Sequence, residues 1–154
     1  RGLGDVYKRQ SASDANVMGD GTAYLPGCTG NVMTELYDQN CEVSTAGLFT
    51  ATVAGKYLLG ASINITGSSL SSCHDNFMYQ FITTGPDGDF LHAGDMYNNW
   101  ANSASIGVAM AHFSRVVEMA ACNTAYVRIY IYDGAKTVDV EAGNNTAFWG
   151  AKLA

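Results

Sequence analysis

From Lys56 to Thr66 the chain alternates. Tyr57, Leu59, Ala61, Ile63 and Ile65 are apolar, the intervening Lys56, Gly60, Ser62, Asn64 and Thr66 are polar or small, and Leu58 alone breaks the pattern. A period of two sustained this long predicts a β-strand with one face buried and the other wet or turned to a partner, as an antiparallel sheet provides. The same reading predicts strands at 22–25, 33–37, 48–53, 56–66, 77–83, 90–93, 105–118, 125–132, 137–142 and 146–153. Val116, Val117, Met119, Ala120 and Ala121 also allow a short helix, but Ile106, Val108, Met110 and His112 alternate against Gly107, Ala109, Ala111 and Phe113, which favours a strand. The small residues on one face suit close approach of a second sheet or subunit. Pro86-Asp87-Gly88-Asp89, Asp133-Gly134 and Gly143-Asn144-Asn145 read as hairpin turns. Turn signals at intervals of about 8 to 12 residues predict an all-β fold, an antiparallel jelly-roll sandwich of about ten strands, rather than a βαβ fold.

Composition narrows the class further. The chain has 154 residues, with 14% charged, 17 glycines, nine tyrosines and two prolines, which fits a single turn-rich β domain and is too apolar for disorder. Its formal net charge of −6 argues against nucleic-acid binding. The longest uncharged stretch, residues 98–111, is interrupted by Asn, Ser and Gly and falls short of the roughly 20 apolar residues that cross a bilayer, so no membrane insertion is expected.

Tyr37-Asp38, Gly47, Phe49-Thr50-Ala51, Val53-Ala54-Gly55 and Tyr57, followed by Phe148 and Gly150 near the end, resemble the globular C1q-like domain, which belongs with the tumour-necrosis-factor-like (TNF-like) jelly rolls. The likeness covers residues 24–154, and its first half is the specific part: a phenylalanine-led strand, a glycine turn and a tyrosine-led strand in family order. It implies a core containing Phe49, Tyr57, Leu59 and Phe148, and assembly into compact trimers through one sheet. Thr52 stands where the family usually has proline. Cys122-Asn123 stands where it usually has Gly-Asp, which weakens any inference of a calcium site from the family.

A second resemblance concerns the beginning of the chain. Asp5-Val6-Tyr7-Lys8-Arg9-Gln10 resembles the translation of a transposase mosaic-end adaptor used for sequencing libraries. Residues 1–10 are therefore expected to be an artefact of shotgun or environmental DNA that adds nothing to the core, with 11–23 a leader or linker and 24–154 the jelly-roll domain. The natural start would then lie elsewhere. Removing Arg1, Lys8 and Arg9 against Asp5 alone would leave a still more acidic segment.

Candidate chemistry is sparse. Cys73-His74-Asp75 supplies a nucleophile, a base and a carboxylate, but sequence neighbours diverge where a catalytic set must converge. His74, His92 and His112 lack the spacing of a zinc site. Asp87-Gly88-Asp89 offers two carboxylates to a calcium ion that wants about six to eight oxygens, and the tripeptide is ordinary turn chemistry. Glu35, Asp38, Asp139 and Glu141 are the acids available to a glycosidase, in no arrangement the sequence defines. No enzyme, resident metal or cofactor is expected. The glycosylation tripeptides at Asn64 and Asn144 are read as chance.

Cys28, Cys41, Cys73 and Cys122 show no Cys-x-x-Cys spacing, so they are either thiols or disulfides, with Cys28–Cys41 and Cys73–Cys122 the preferred pairs. In 125–132, Val127, Ile129 and Ile131 form an apolar stripe opposite Tyr126, Arg128, Tyr130 and Tyr132. That second face is either an exposed sheet surface capped by tyrosines or, as trimers of the family make attractive, a subunit contact. The expected function is a non-enzymatic homotrimeric module on a virion surface or outside a cell, most simply a phage fibre, tail or capsid-decoration head contacting a host-surface glycan or protein. The alternatives are a secreted C1q-like recognition protein and a polysaccharide-degrading appendage.

Overall fold

The computed structural model describes residues 5–18, 23–27, 32–38, 42–66, 76–85, 88–97, 108–132 and 137–153. Its regular elements are all strands: β1 (Asp5–Gln10), β2 (Asp14–Met18), β3 (Ala23–Tyr24), β4 (Met33–Asp38), β5 (Phe49–Thr50), β6 (Gly55–Thr66), β7 (Asn76–Gly85), β8 (Gly88–Tyr97), β9 (Val108–Met119), β10 (Thr124–Tyr132), β11 (Thr137–Val140) and β12 (Gly143–Lys152). They form two antiparallel sheets. Seven strands lie in the path β2-β11-β6-β12-β1-β4 with β9 on β6, and five in the path β3-β10-β7-β8 with β5 on β10.

The alternating run at 56–66 organises the larger sheet. All five of its apolar positions, Tyr57 to Ile65, are buried, while β9 pairs along one edge from Gly55↔Met119 to Thr66↔Val108. Strand β9 is continuous to Met119, so the helix alternative is not adopted. The core is the seam between the sheets. Phe81 of β7 meets Phe113 of β9 at 4.6 Å between ring centroids and Phe148 of β12 at 6.1 Å, and Phe49 packs edge-on against Tyr57 at 5.3 Å. Phe49, Tyr57, Leu59 and Phe148 are all at most 2% exposed and share one cluster.

Residues 5–10 correct the expectation that 1–10 stand outside the fold. Strand β1 lies between β12 and β4 and pairs with both, with Tyr7 opposite Trp149 on one side and Tyr37 on the other. Whatever DNA encodes it, this segment fills a central slot. Strand β2 then pairs with β11, so residues 14–18 belong to the sheet and are more than a linker. The β1 alternation is inverted in polarity: Lys8 and Gln10 are the buried residues, at 4% and 0% exposure. Lys8 Nζ reaches Asp38 Oδ2 at 3.5 Å and Glu35 Oε2 at 3.4 Å, and Asp38 accepts the backbone N–H groups of Glu42 and Val43.

Three turn readings fare differently. Gly85↔Gly88 closes the β7–β8 hairpin where Pro86 to Asp89 predicted one. Asp133-Gly134 lies outside the described residues, but the flanking strands β10 and β11 belong to different sheets and so form no hairpin with each other. Gly143 reverses nothing either. Strands β11 and β12 both run antiparallel to β6 and pair with different stretches of it, and Gly143 takes the left-handed backbone (φ 81°) at the break. The strand expected at 48–53 shrinks to Phe49–Thr50.

At the end of the core Tyr57 donates to the Val53 carbonyl at 2.5 Å, and Thr52 donates to buried Glu42 at 2.7 Å. Burial pushes the Tyr57 phenol above its ordinary range, and the Glu42 charge reinforces this. Folding therefore favours the neutral phenol. Its contribution is intact below about pH 10 and is lost as pH rises through the higher folded value. Urea unfolding at pH 8 and above pH 10 is expected to show a steeper alkaline loss for the wild type than for Tyr57→Phe; equal slopes would count against this role.

Candidate functional site

The catalytic candidates do not assemble. Glu35 and Asp38 share Lys8, and Glu141 accepts the Thr66 hydroxyl at 3.1 Å, so these acids are committed to separate structural contacts. His112 is exposed on β9, and among the described residues no group of three His, Cys, Asp or Glu could hold a metal ion. Cys73-His74-Asp75 and Asp87 lie outside the described residues, as do the side chains of His92 and Asp89.

Cys122 departs from the expected bridge to Cys73. It is an exposed free thiol at the turn between β9 and β10, held in the left-handed region (φ 67°) while its N–H donates to the Ala51 carbonyl. Cys28, Cys41 and Cys73 lie outside the described residues. Asn64 is only 5% exposed, too buried for a glycan acceptor.

Two outward sheet faces remain. On the five-stranded sheet, Ala125, Val127 and Ile129 point into the core, which turns Tyr126, Arg128 and Tyr130 outward; the Tyr132 side chain is outside the described residues. Across β7 these three stand opposite Ile82, Gln80 and Met78. Arg128 donates from Nε (3.0 Å) and Nη2 (2.7 Å) to the same Gln80 Oε1, and its guanidinium lies 4.9 Å from the Tyr130 ring centroid. Gln80, itself buried, donates onward to Met78 Sδ.

On the seven-stranded sheet, one row of the outward face runs Tyr37, Tyr7, Trp149, Gly60, Ser114 from β4 to β9. Trp149 covers Gly60 so closely that a Cβ there would overlap the indole, and Tyr7 stacks beside it at 6.2 Å and 21°. On the same face Leu58 stands opposite Val116 one row away, and Asn64 opposite Met110 two rows away on the other side. Val116, Met110 and Tyr37 are 56%, 49% and 44% exposed. Sequence reasoning assigned no role to Tyr7, Trp149, Val116 or Met110. The available signal was Leu58, the one break in the β6 alternation.

No family model and no curated protein matches the sequence. Solved structures do match. A crystal structure of murine APRIL aligns over 98% of this chain and 99% of its own, with TM-score 0.69 at 8% identity. The Eiger TNF structure from S. frugiperda aligns over 100% and 94%, with TM-score 0.68 at 12% identity. The fold is the C1q/TNF-like jelly roll. The globular domain of zebrafish complement 1qA aligns over 99% of this chain and 98% of its own, with TM-score 0.58 at 12% identity. The likeness therefore includes strands β1 and β2, beyond the span that the sequence resemblance covered.

Proposed function

We propose that this chain is a non-enzymatic binding module that works as a homotrimer at a virion surface or outside a cell, with a phage fibre, tail or capsid-decoration head as the first reading. The fold supports a module of this class, and the outward face of the seven-stranded sheet carries the assembly reading. Leu58, Val116, Met110 and the Tyr37–Tyr7–Trp149 row occupy positions that a solvated sheet face would fill with polar side chains. Three copies related by rotation would bury that face and gather three equivalent loop sets, which turns weak single contacts into avid ones.

The tyrosine face of β10 is the other candidate for the three-fold contact. Its aromatic and arginine content supports that reading. The internal engagement of Arg128 by Gln80 and Tyr130 favours the seven-stranded sheet instead. Light scattering separates them. The trimer should weigh three times 16.3 kDa, about 49 kDa. Val116→Asp should dissociate it by crowding charges into an apolar contact, and Tyr130→Asp should leave it whole. The reverse pattern moves the contact to β10; a monomeric wild type at micromolar concentration sinks both readings. Tail or capsid genes beside this one would support the virion role, and an upstream collagen-like repeat the secreted alternative.

A further inference from the structure

We infer that the outward face of β10 is a binding site for a carboxylate-bearing saccharide, with Arg128 as its anchor. The inference rests on the binding-module reading and on β10 lying outside the assembly contact.

Arg128 is the only charged residue in either strand: Thr124–Tyr132 and Asn76–Gly85 contain no Asp, Glu, Lys or other Arg. Its contacts are Gln80 and Tyr130. Among the described residues no carboxylate pairs with this half-buried guanidinium, so its positive charge is unmatched there although the chain's net charge is −6. The geometry shows which edge remains. Gln80 Oε1 takes Nε and one Nη2 proton, so the Nη1–Nη2 edge keeps two parallel N–H donors, the fork that grips a planar carboxylate with two bonds. Gln80 and the Tyr130 ring fix the plane of the group before a ligand arrives, which lowers the ordering cost of binding.

Tyr126 and Tyr130 determine the class of ligand. They sit two residues either side of Arg128 on the same face, about 7 Å from it along the strand, and both are partly exposed. An aromatic ring on each side of a carboxylate fork fits a short run of pyranose rings, with C–H faces against the tyrosines and an acidic sugar in the middle. No cationic neighbour in β7 or β10 adds the diffuse charge that a densely sulfated chain would need.

The test is calorimetric titration at low salt with trigalacturonate, a neutral trisaccharide and a sulfated trisaccharide, with circular dichroism and mass recorded for each variant. Trigalacturonate is expected to bind and the neutral sugar to bind at least about tenfold more weakly. Arg128→Met should lower trigalacturonate affinity at least about tenfold, and Arg128→Lys should lose several-fold because an ammonium keeps the charge without the fork. The lysine variant keeps the test valid where the methionine variant fails to fold. Unchanged affinity in a folded variant, equal binding of the neutral sugar, or tighter binding of the sulfated one overturns the assignment. Dissociation of the trimer by Arg128→Lys would also overturn it, by making β10 the subunit contact. A monomeric wild type that still binds through Arg128 would sink the assembly reading alone.

Discussion

Deletion of Arg1 to Gln10 is expected to abolish the cooperative melt of this chain or to lower its midpoint by well over 10 °C. Strand β1 is paired on both edges, so its loss exposes the backbone donors and acceptors of β12 and β4 at once. It also removes Lys8, which is 4% exposed and is the cation beside Asp38. Removing one partner of a buried pair leaves the other charge uncompensated, at a cost of about 3 to 5 kcal/mol. Lys8→Met, which keeps the strand and deletes only the charge, should therefore lose about 3 kcal/mol, near the lower end because Asp38 keeps the N–H groups of Glu42 and Val43. For a domain of this size that is a midpoint shift of roughly 6 to 12 °C. Thermal unfolding followed by circular dichroism measures both. A truncated chain that melts within a few degrees of the full one would show that the fold does without β1.

Phe49→Ala should cost about 3 to 5 kcal/mol in urea unfolding. Phe49 is fully buried in the two-residue strand β5, where it pairs with Ala125 of the smaller sheet and packs edge-on against Tyr57 of the larger. A Cβ added at Gly150 would lie 3.4 Å from its ring, so the strand behind it is already at contact distance. Three elements meet on one side chain, and a backbone already paired on both sheets cannot collapse to fill the space it leaves. A loss below about 1 kcal/mol would mean that β5 is placed in the wrong register.

Legibility in the sequence followed burial of apolar groups. Wherever an inward face was made of carbon, as in β6 and β10, alternation located the strand and its orientation. Strand β1 escaped because its inward residues are Lys8 and Gln10. Lys8 is matched by Asp38, 30 positions away, and Gln10 meets the Tyr24 hydroxyl, 14 positions away, which no local pattern encodes. The hairpin expected between β10 and β11 was misread for a related reason: a turn dipeptide states that the chain bends, while the sheet that receives the next strand is a tertiary matter. The tyrosine face of β10 was visible as a pattern. The Gln80 grip on Arg128 was not, since it joins residues 48 positions apart. Leu58 was noticed as an irregularity, and its meaning appeared only with Val116 opposite it.

The pairing of Tyr7 with Trp149 also sets a timetable for synthesis. The two residues are 142 positions apart, so at about 5 to 20 residues per second a ribosome emits the slot for β1 some 7 to 30 s after β1 itself. During that interval β6 and β9 can meet, but the larger sheet lacks its central strands and the aromatic seam has an open flank. The larger sheet is thus completed only after β12 has emerged. Its period of greatest exposure to wrong partners is the nascent one, when many copies emerge side by side on one message.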